Sequence, residues 1–249
     1  MQRGEKLVEW LAGCRGTVVS PHPDDAALSI GGLLGRIAGR CELTLVTVFS
    51  RSRWVRPGWI GRRGEAAISR VRREEESAFA EAIGATLHLL NLPDASLRGY
   101  DAASELELLR DPQDWQRHVR ALVASRLALV DPDFVIAPAA IGGHVDHILV
   151  RSAVCEWASS ARGTVFLYED LPYKNRAAQS PGARPARFPI TIDIRAQRAA
   201  KLALLSFYPS QLDPFTCIDI CEIDTNRVGG SETLWTDRKV VYGAFTGQD

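Results

Sequence analysis

Along the first 170 residues, short apolar runs of strand length alternate with segments of helical period. Residues 17–20, 43–49, 87–92, 134–137 and 165–168 read as strands, and the second of these is rich in β-branched side chains. Between them, residues 28–38, 70–83, 114–130 and 146–160 carry the 3.6-residue period of helices. Gly84 stands where a helix C-terminus favours glycine, and Asp111-Pro112 marks a helix start. Residues 1–14 read as a short amphipathic helix. Beyond 170 the pattern is less regular. Residues 188–194 alternate like a strand and 196–207 look helical, whereas 217–223 and 239–245 read as strands of a smaller C-terminal subregion. Prolines 181, 185 and 189 predict a surface loop over 179–189. The alternation predicts an α/β fold whose mostly parallel sheet is covered on both faces by helices. No repeat or linker divides the chain. One domain over 1–249 is expected, with a core at about 15–170 and a subregion at about 171–249.

Composition narrows the class without naming an activity. The chain has 249 residues, 46% hydrophobic and 24% charged, enough to bury a large core without staples. Its formal net charge is zero, so nothing global points to nucleic acid or another polyanion. Five cysteines (14, 41, 155, 217, 221) form no CxxC pair and suit a reduced, cytoplasmic protein. The N-terminus is too polar for a signal peptide, and no apolar run approaches the roughly 20 residues of a membrane span.

Candidate chemistry sits just past two of the predicted strands. Pro21-His22-Pro23-Asp24-Asp25 follows the first, and His144-Val145-Asp146-His147 follows the fourth, about 120 residues later. In open α/β sheets ligands bind beyond the carboxyl ends of the strands, so the two clusters read as halves of one site. His22, Asp25 and His147 supply two imidazole nitrogens and a carboxylate, a set that suits Zn²⁺ with a position left for water. The same set accepts Fe²⁺ or Co²⁺. Asp24, beside a ligand in an irregular loop, is free to act as general base. His144, three residues before His147, is placed to stabilise an oxyanion or protonate a leaving amine. Asp146 is expected to orient one of the histidines. Alone, either cluster would read as a turn or a helix cap; together they point to a metal-dependent hydrolase. His88 and His118 read as structural or exposed.

These motifs resemble those of the PIG-L/LmbE-like zinc-dependent N-deacetylase family, which removes acetyl groups from N-acetylglucosamine-type sugars. The resemblance implies a Rossmann-like three-layer fold. It also implies metal ligation by His22, Asp25 and His147, with base and acid or electrostatic roles for Asp24 and His144. Arg73-x-x-Glu76 resembles the family's helix after the second strand, whose arginine contacts substrate, and Asp94 of Leu92-Pro93-Asp94 resembles an aspartate that can hold a sugar hydroxyl. Tyr168-Glu169-Asp170-Leu171-Pro172-Tyr173 and Lys201…Tyr208-Pro209-Ser210-Gln211 resemble segments of its bacterial members. Ala26 stands where many members have Glu, and Leu28-Ser29-Ile30-Gly31-Gly32 replaces a small, Gly-rich run. Close packing accounts for Gly31-Gly32, which is not a GxGxxG fingerprint.

The implied partner is a small amino-sugar substrate that loses its N-acetyl group. Residues 50–69 form a long polar connection with five arginines and two tryptophans. Read as a lid, it would favour a phosphate- or aglycone-bearing sugar; read as a solvated basic loop, it says nothing of substrate. Two alternatives stay open: a family amidase acting on another acyl group or a thiol-sugar conjugate, and a non-catalytic sugar- or nucleotide-binding domain.

Overall fold

The two strands that precede the His/Asp clusters pair with each other at the centre of one sheet. The protein is described from a computed structural model, covering residues 4–61, 63–106, 109–160, 163–172, 188–226 and 230–246. β1 (Arg15–Ser20) pairs in parallel with β2 (Glu42–Thr47) on one side and with β4 (Phe134–Pro138) on the other. β3 (Ala85–Leu89) and β5 (Thr164–Tyr168) extend this parallel block. β7 (Ser231–Thr236) adds to β5 in antiparallel sense, and β6 (Phe188–Asp193) closes the edge, giving the order β3-β2-β1-β4-β5-β7-β6. The chain reverses its direction of travel across the sheet between β1 and β4. That reversal opens a crevice at their carboxyl ends.

Burial on both faces explains the near-continuous apolar runs. Val18, Leu45, Ile136 and Phe166 point into one core, with α1 (Glu5–Ala12), α2 (Asp25–Ile37) and part of α3 (Glu65–Ala82) packed on it. Val19, Val46, Val135 and Leu167 point into the other, against α4 (Gln113–Val130) and α5 (Val145–Ala158). Ala26 is 1% exposed within the first core, where a Glu would need burial.

α2 contains a break. Ile30 has φ −138° and ψ 21°, so a second helical segment begins behind it with unsatisfied N–H groups. Glu232 of β7 supplies the cap: its carboxylate accepts from Gly32 N at 2.8 Å and from Leu33 N at 2.7 Å. Lys201 of α6 (Arg198–Leu205) neutralises it at 2.8 Å, both side chains being buried. Gly32 is required by close packing, since a Cβ there would lie 2.9 Å from Ile194.

The C-terminal reading needs correction. Residues 217–223 and 239–245 are not strands; they lie in α7 (Pro214–Asn226) and α8 (Lys239–Thr246). Among the described side chains of α7, Cys217, Ile220 and Cys221 are buried, a helical spacing that the local alternation of apolar and polar residues masked. Asp213 starts α7, accepting from Phe215 N at 2.9 Å and Thr216 N at 3.1 Å. The strand that reading overlooked is β7, which joins the main sheet beside β6. Of the loop expected at 179–189, positions up to 187 lie outside the described residues, and Pro189 belongs to edge strand β6. No helix among the described residues is long and apolar enough to cross a membrane.

Gly32→Ala is expected to destabilise the fold by about 1–3 kcal/mol, since the added methyl overpacks against Ile194. The midpoint of urea unfolding measures it.

Candidate metal centre

The turn after β1 is pinned before any ion is considered. Val48 N donates to Ser20 O and Phe49 N to Pro21 O, at 3.0 and 2.8 Å, so the loop continues against the end of β2. His22 N donates to Asp25 Oδ2 at 2.8 Å, folding the loop onto the first residue of α2. Asp24 takes φ 104°, a conformation that L-residues avoid and that costs on the order of 1–3 kcal/mol. After β4, Gly142 and Gly143 take φ 92° and 80°, a path that only glycine follows without strain, and deliver His144 to the start of α5. Ile141 N donates to Asp170 Oδ2 at 2.9 Å and fixes this second turn to the end of β5.

The two turns bring His22, Asp25 and His147 together. Asp25 Oδ2 lies 3.1 Å from His22 Nδ1 and 3.4 Å from His147 Nε2. Ligand atoms bound at about 2.0–2.1 Å in a tetrahedral site stand about 3.3–3.4 Å apart, so the donor spacing fits such an ion. The far nitrogen of each ring faces a carboxylate: His22 Nε2 is 2.8 Å from Asp146 Oδ2, and His147 Nδ1 is 2.5 Å from Asp170 Oδ1. Carboxylates behind histidine ligands fix ring orientation and raise ligand basicity. A second grouping, His22, His144 and Asp146, also converges. There the 2.8 Å contact between His22 and Asp146 is a direct hydrogen bond and leaves no space for an ion between them.

Around the trio, burial and charge set the protonation of each group. Burial works against a charged His22, yet hydrogen bonds to Asp146 and Asp25 overcome it and raise the ring to about 9. His147 is likewise raised against its burial by Asp25 and Asp170. Protons on these rings compete with a metal for the same nitrogens. Asp24 is pushed up to about 8 by burial, with the Arg72 charge pulling the other way. His144 is held well below the usual range by burial and by the neighbouring histidines. Its Nδ1 accepts from Asp146 N at 3.2 Å, so the proton of the neutral ring sits on Nε2, which lies 3.7 Å from Glu105.

The sequence-derived residues are placed unevenly. His22, Asp24, Asp25, His144, Asp146 and His147 form one cluster. Asp94 lies at its border, 5% exposed, accepting from Ser96 Oγ at 2.5 Å. Arg73 does not reach it. The arginine that does is Arg72, whose Nη2 is 3.5 Å from Asp24 Oδ1 and whose Nη1 is 3.8 Å from Asp94 Oδ2. One helical residue turns the side chain by about 100°, and Arg73 accordingly lines a shallow depression with Arg70, Glu74, Ser77 and Leu89. Glu76 is buried and forms no exposed pair with Arg73; it accepts from Tyr208 Oη at 2.6 Å and from Thr47. Glu75 accepts from Ser210 N and Oγ. These bonds account for the segment around Tyr208 and Ser210. Asp170 stands after a strand end, a place from which the sequence left open that it lines the cleft or caps the next segment; Arg98 and Glu105 carried no signal in the sequence. In the connection after β2, Arg51 pairs with Glu65 and Arg56 Nε donates to Pro209 O at 2.9 Å, while position 62 lies outside the described residues. His88 and His118 lie on β3 and α4, outside the cluster. Tyr173 lies outside the described residues.

Residues 17–158 match the family model described as GlcNAc-PI de-N-acetylase, PIG-L. The chain is 37% identical, over 97% of its length and 88% of the relative's, to 2'-N-acetylparomamine deacetylase of Streptomyces fradiae. Among solved structures, it resembles an A40926 pseudoaglycone deacetylase with TM-score 0.68 and 25% identity, covering 89% of this chain and 96% of that one. It also resembles a deacetylase of teicoplanin biosynthesis with TM-score 0.71 and 24% identity, covering 89% and 96%, a likeness of fold.

Two outcomes follow from this geometry. Arg72→Met is expected to cost about 3 kcal/mol, because two buried carboxylates lose their cation, whereas Arg73→Met should stay within about 0.5 kcal/mol; urea unfolding of both variants separates them. Equilibrium dialysis should find one divalent ion per chain in the wild type, lost in His147→Ala.

Proposed function

The chain belongs to the PIG-L (GlcNAc-PI de-N-acetylase) family and is a metal-dependent N-deacetylase; on that premise we propose that it removes the acetyl group from an N-acetylglucosamine-type sugar within an aminoglycoside conjugate, using Zn²⁺. The observation that carries the reading is the trio His22, Asp25 and His147, with both rings backed by carboxylates and Asp24 alongside. The donor set of two imidazoles and one carboxylate is that of a catalytic rather than a structural ion. The substrate class is supported by the full-length likeness to an enzyme named for 2'-N-acetylparomamine. Glu105, more exposed than the groups beneath it, offers a carboxylate beside His144 and suits a substrate carrying further ammonium groups.

A divalent ion held by the trio would supply Lewis-acid polarisation of the acetyl carbonyl and a water acidified toward a pKa of about 7. Asp24 takes the proton of the attacking water. Its raised proton affinity suits a group that must both take and return a proton near neutrality. Arg72 steadies the Asp24 carboxylate and borders Asp94, which we assign to a sugar hydroxyl in place of any contact from Arg73. His144, neutral and protonated on Nε2, donates to the carbonyl oxygen as negative charge develops. The C–N bond then breaks, Asp24 delivers its proton to the amine nitrogen, and acetate and the free amino sugar leave.

Zinc-loaded enzyme is expected to release acetate from 2'-N-acetylparomamine faster than from free N-acetylglucosamine. Asp24→Asn should lower kcat by about 10²–10⁴-fold with its metal content unchanged. Acetate release and metal analysis in parallel check both. Full activity in Asp24→Asn would remove the base assignment, and no release from any N-acetyl sugar would remove the substrate class.

A further inference from the structure

Arg98 follows the short 3-10 helix Ala95–Leu97, and its side chain is 8% exposed. Each arm of the guanidinium meets a protein group. Nε donates to Asp111 Oδ1 at 2.8 Å and Nη2 to Asp111 Oδ2 at 3.0 Å, a two-pronged pair. Nη2 also lies 2.7 Å from Asp146 Oδ1, and Nη1 donates to Pro93 O at 2.9 Å. The guanidinium carbon stands 5.2 Å from the Phe49 ring centre, so an aromatic face closes one side. With its arms engaged in this way, Arg98 is not turned toward a substrate.

Its second carboxylate is the one that holds a proposed metal ligand. Asp146 Oδ2 is 2.8 Å from His22 Nε2 and accepts from Ala95 N at 2.9 Å, while Oδ1 faces Arg98. A chain of contacts therefore runs from Asp111 through Arg98 and Asp146 to His22. We propose that Arg98 is a positioning residue for the metal centre: by pairing with Oδ1 of Asp146 it holds the carboxylate so that Oδ2 keeps the His22 proton on Nε2 and turns Nδ1 toward Asp25 and the ion. This rests on the metal-centre reading above. The planar fork is required because one cation must serve two carboxylates and a carbonyl at once; a lysine brings the charge without that geometry. The clamp also ties the excursion between β3 and α4, which carries Glu105, to the metal site.

The test is Zn²⁺ affinity of the metal-free protein, read by competition with a chromogenic chelator at fixed pH, for wild type, Arg98→Met and Arg98→Lys. The thermal midpoint of each metal-free protein is recorded beside it. Arg98→Met is expected to bind Zn²⁺ about 10–100-fold more weakly while folded, with Arg98→Lys recovering part of the loss. Affinity of folded Arg98→Met within twofold of wild type overturns the proposal, even if its thermal midpoint falls. If Arg98→Met does not fold, Asp111→Asn keeps the guanidinium and removes one side of the clamp. It should weaken binding at least about threefold, and unchanged affinity overturns the proposal equally. A wild type that binds no Zn²⁺ removes the metal-centre reading and this inference with it; a wild type that binds, beside an Arg98→Met that matches it, removes this inference alone.

Discussion

Buried charge is the constraint around which this molecule is arranged. Asp25, Asp146 and Asp170 lie with His22, His147, Arg72 and Arg98 in a space from which water is nearly excluded. An isolated ion there would be untenable, so each must find a partner of opposite sign or a hydrogen-bond donor. The fold meets this by bringing strand ends together. β1 and β4 adjoin at the reversal of the sheet, and β5 adds Asp170 behind His147. The same pairing that makes the charges tolerable also brings one donor atom each of His22, Asp25 and His147 to one point.

Support for the site reaches well beyond it. Asp25 opens a helix whose inner break is capped by Glu232, more than 200 residues along the chain, and that carboxylate is balanced by Lys201. Arg72 is held by Ser52 Oγ at 3.1 Å and by Pro23 O at 2.9 Å, so the helix after β2 grips the loop that carries Asp24. α6 and β7 thus support the helix that Asp25 opens, although neither places a side chain in the His/Asp cluster. Asp24 at φ 104° and Ala140 at φ 57° are left-handed residues in the two turns that carry the clusters, and Gly142 and Gly143 take the same region where glycine does so freely.

The membership in a de-N-acetylase family and the proposed roles of His22, Asp25, His147 and Asp24 belong to one argument, because each lends sense to the other. Hydrolysis of an amide needs a polarised carbonyl, an activated water and a proton for the departing amine. The cluster offers one group for each demand. Around the cluster, Ala26 is buried in the core and Glu105 lies 3.7 Å from His144 Nε2.

The sequence by itself determined the layered α/β architecture over the first 170 residues and the six residues of the two motifs. Both are local. Strand and helix periods are written in neighbouring residues, and His22 to Asp25 and His144 to His147 each fit within one turn that a strand end presents. What only the tertiary structure decided were contacts between distant positions and the rotation of a side chain about a helix. Arg72 instead of Arg73 depends on about 100° of helical phase, which the run Arg72-Arg73 in the sequence does not reveal. Arg98 and Asp111, from the excursion between β3 and α4, and Asp170, from the segment after β5, enter because these distant stretches meet over one crevice. The identity of α7 as helix and of β7 as strand was settled by which residues the finished core buried, Cys217, Ile220 and Cys221 in one case and Glu232, Leu234 and Thr236 in the other. Local alternation could not decide it, because burial is a property of the assembled layers.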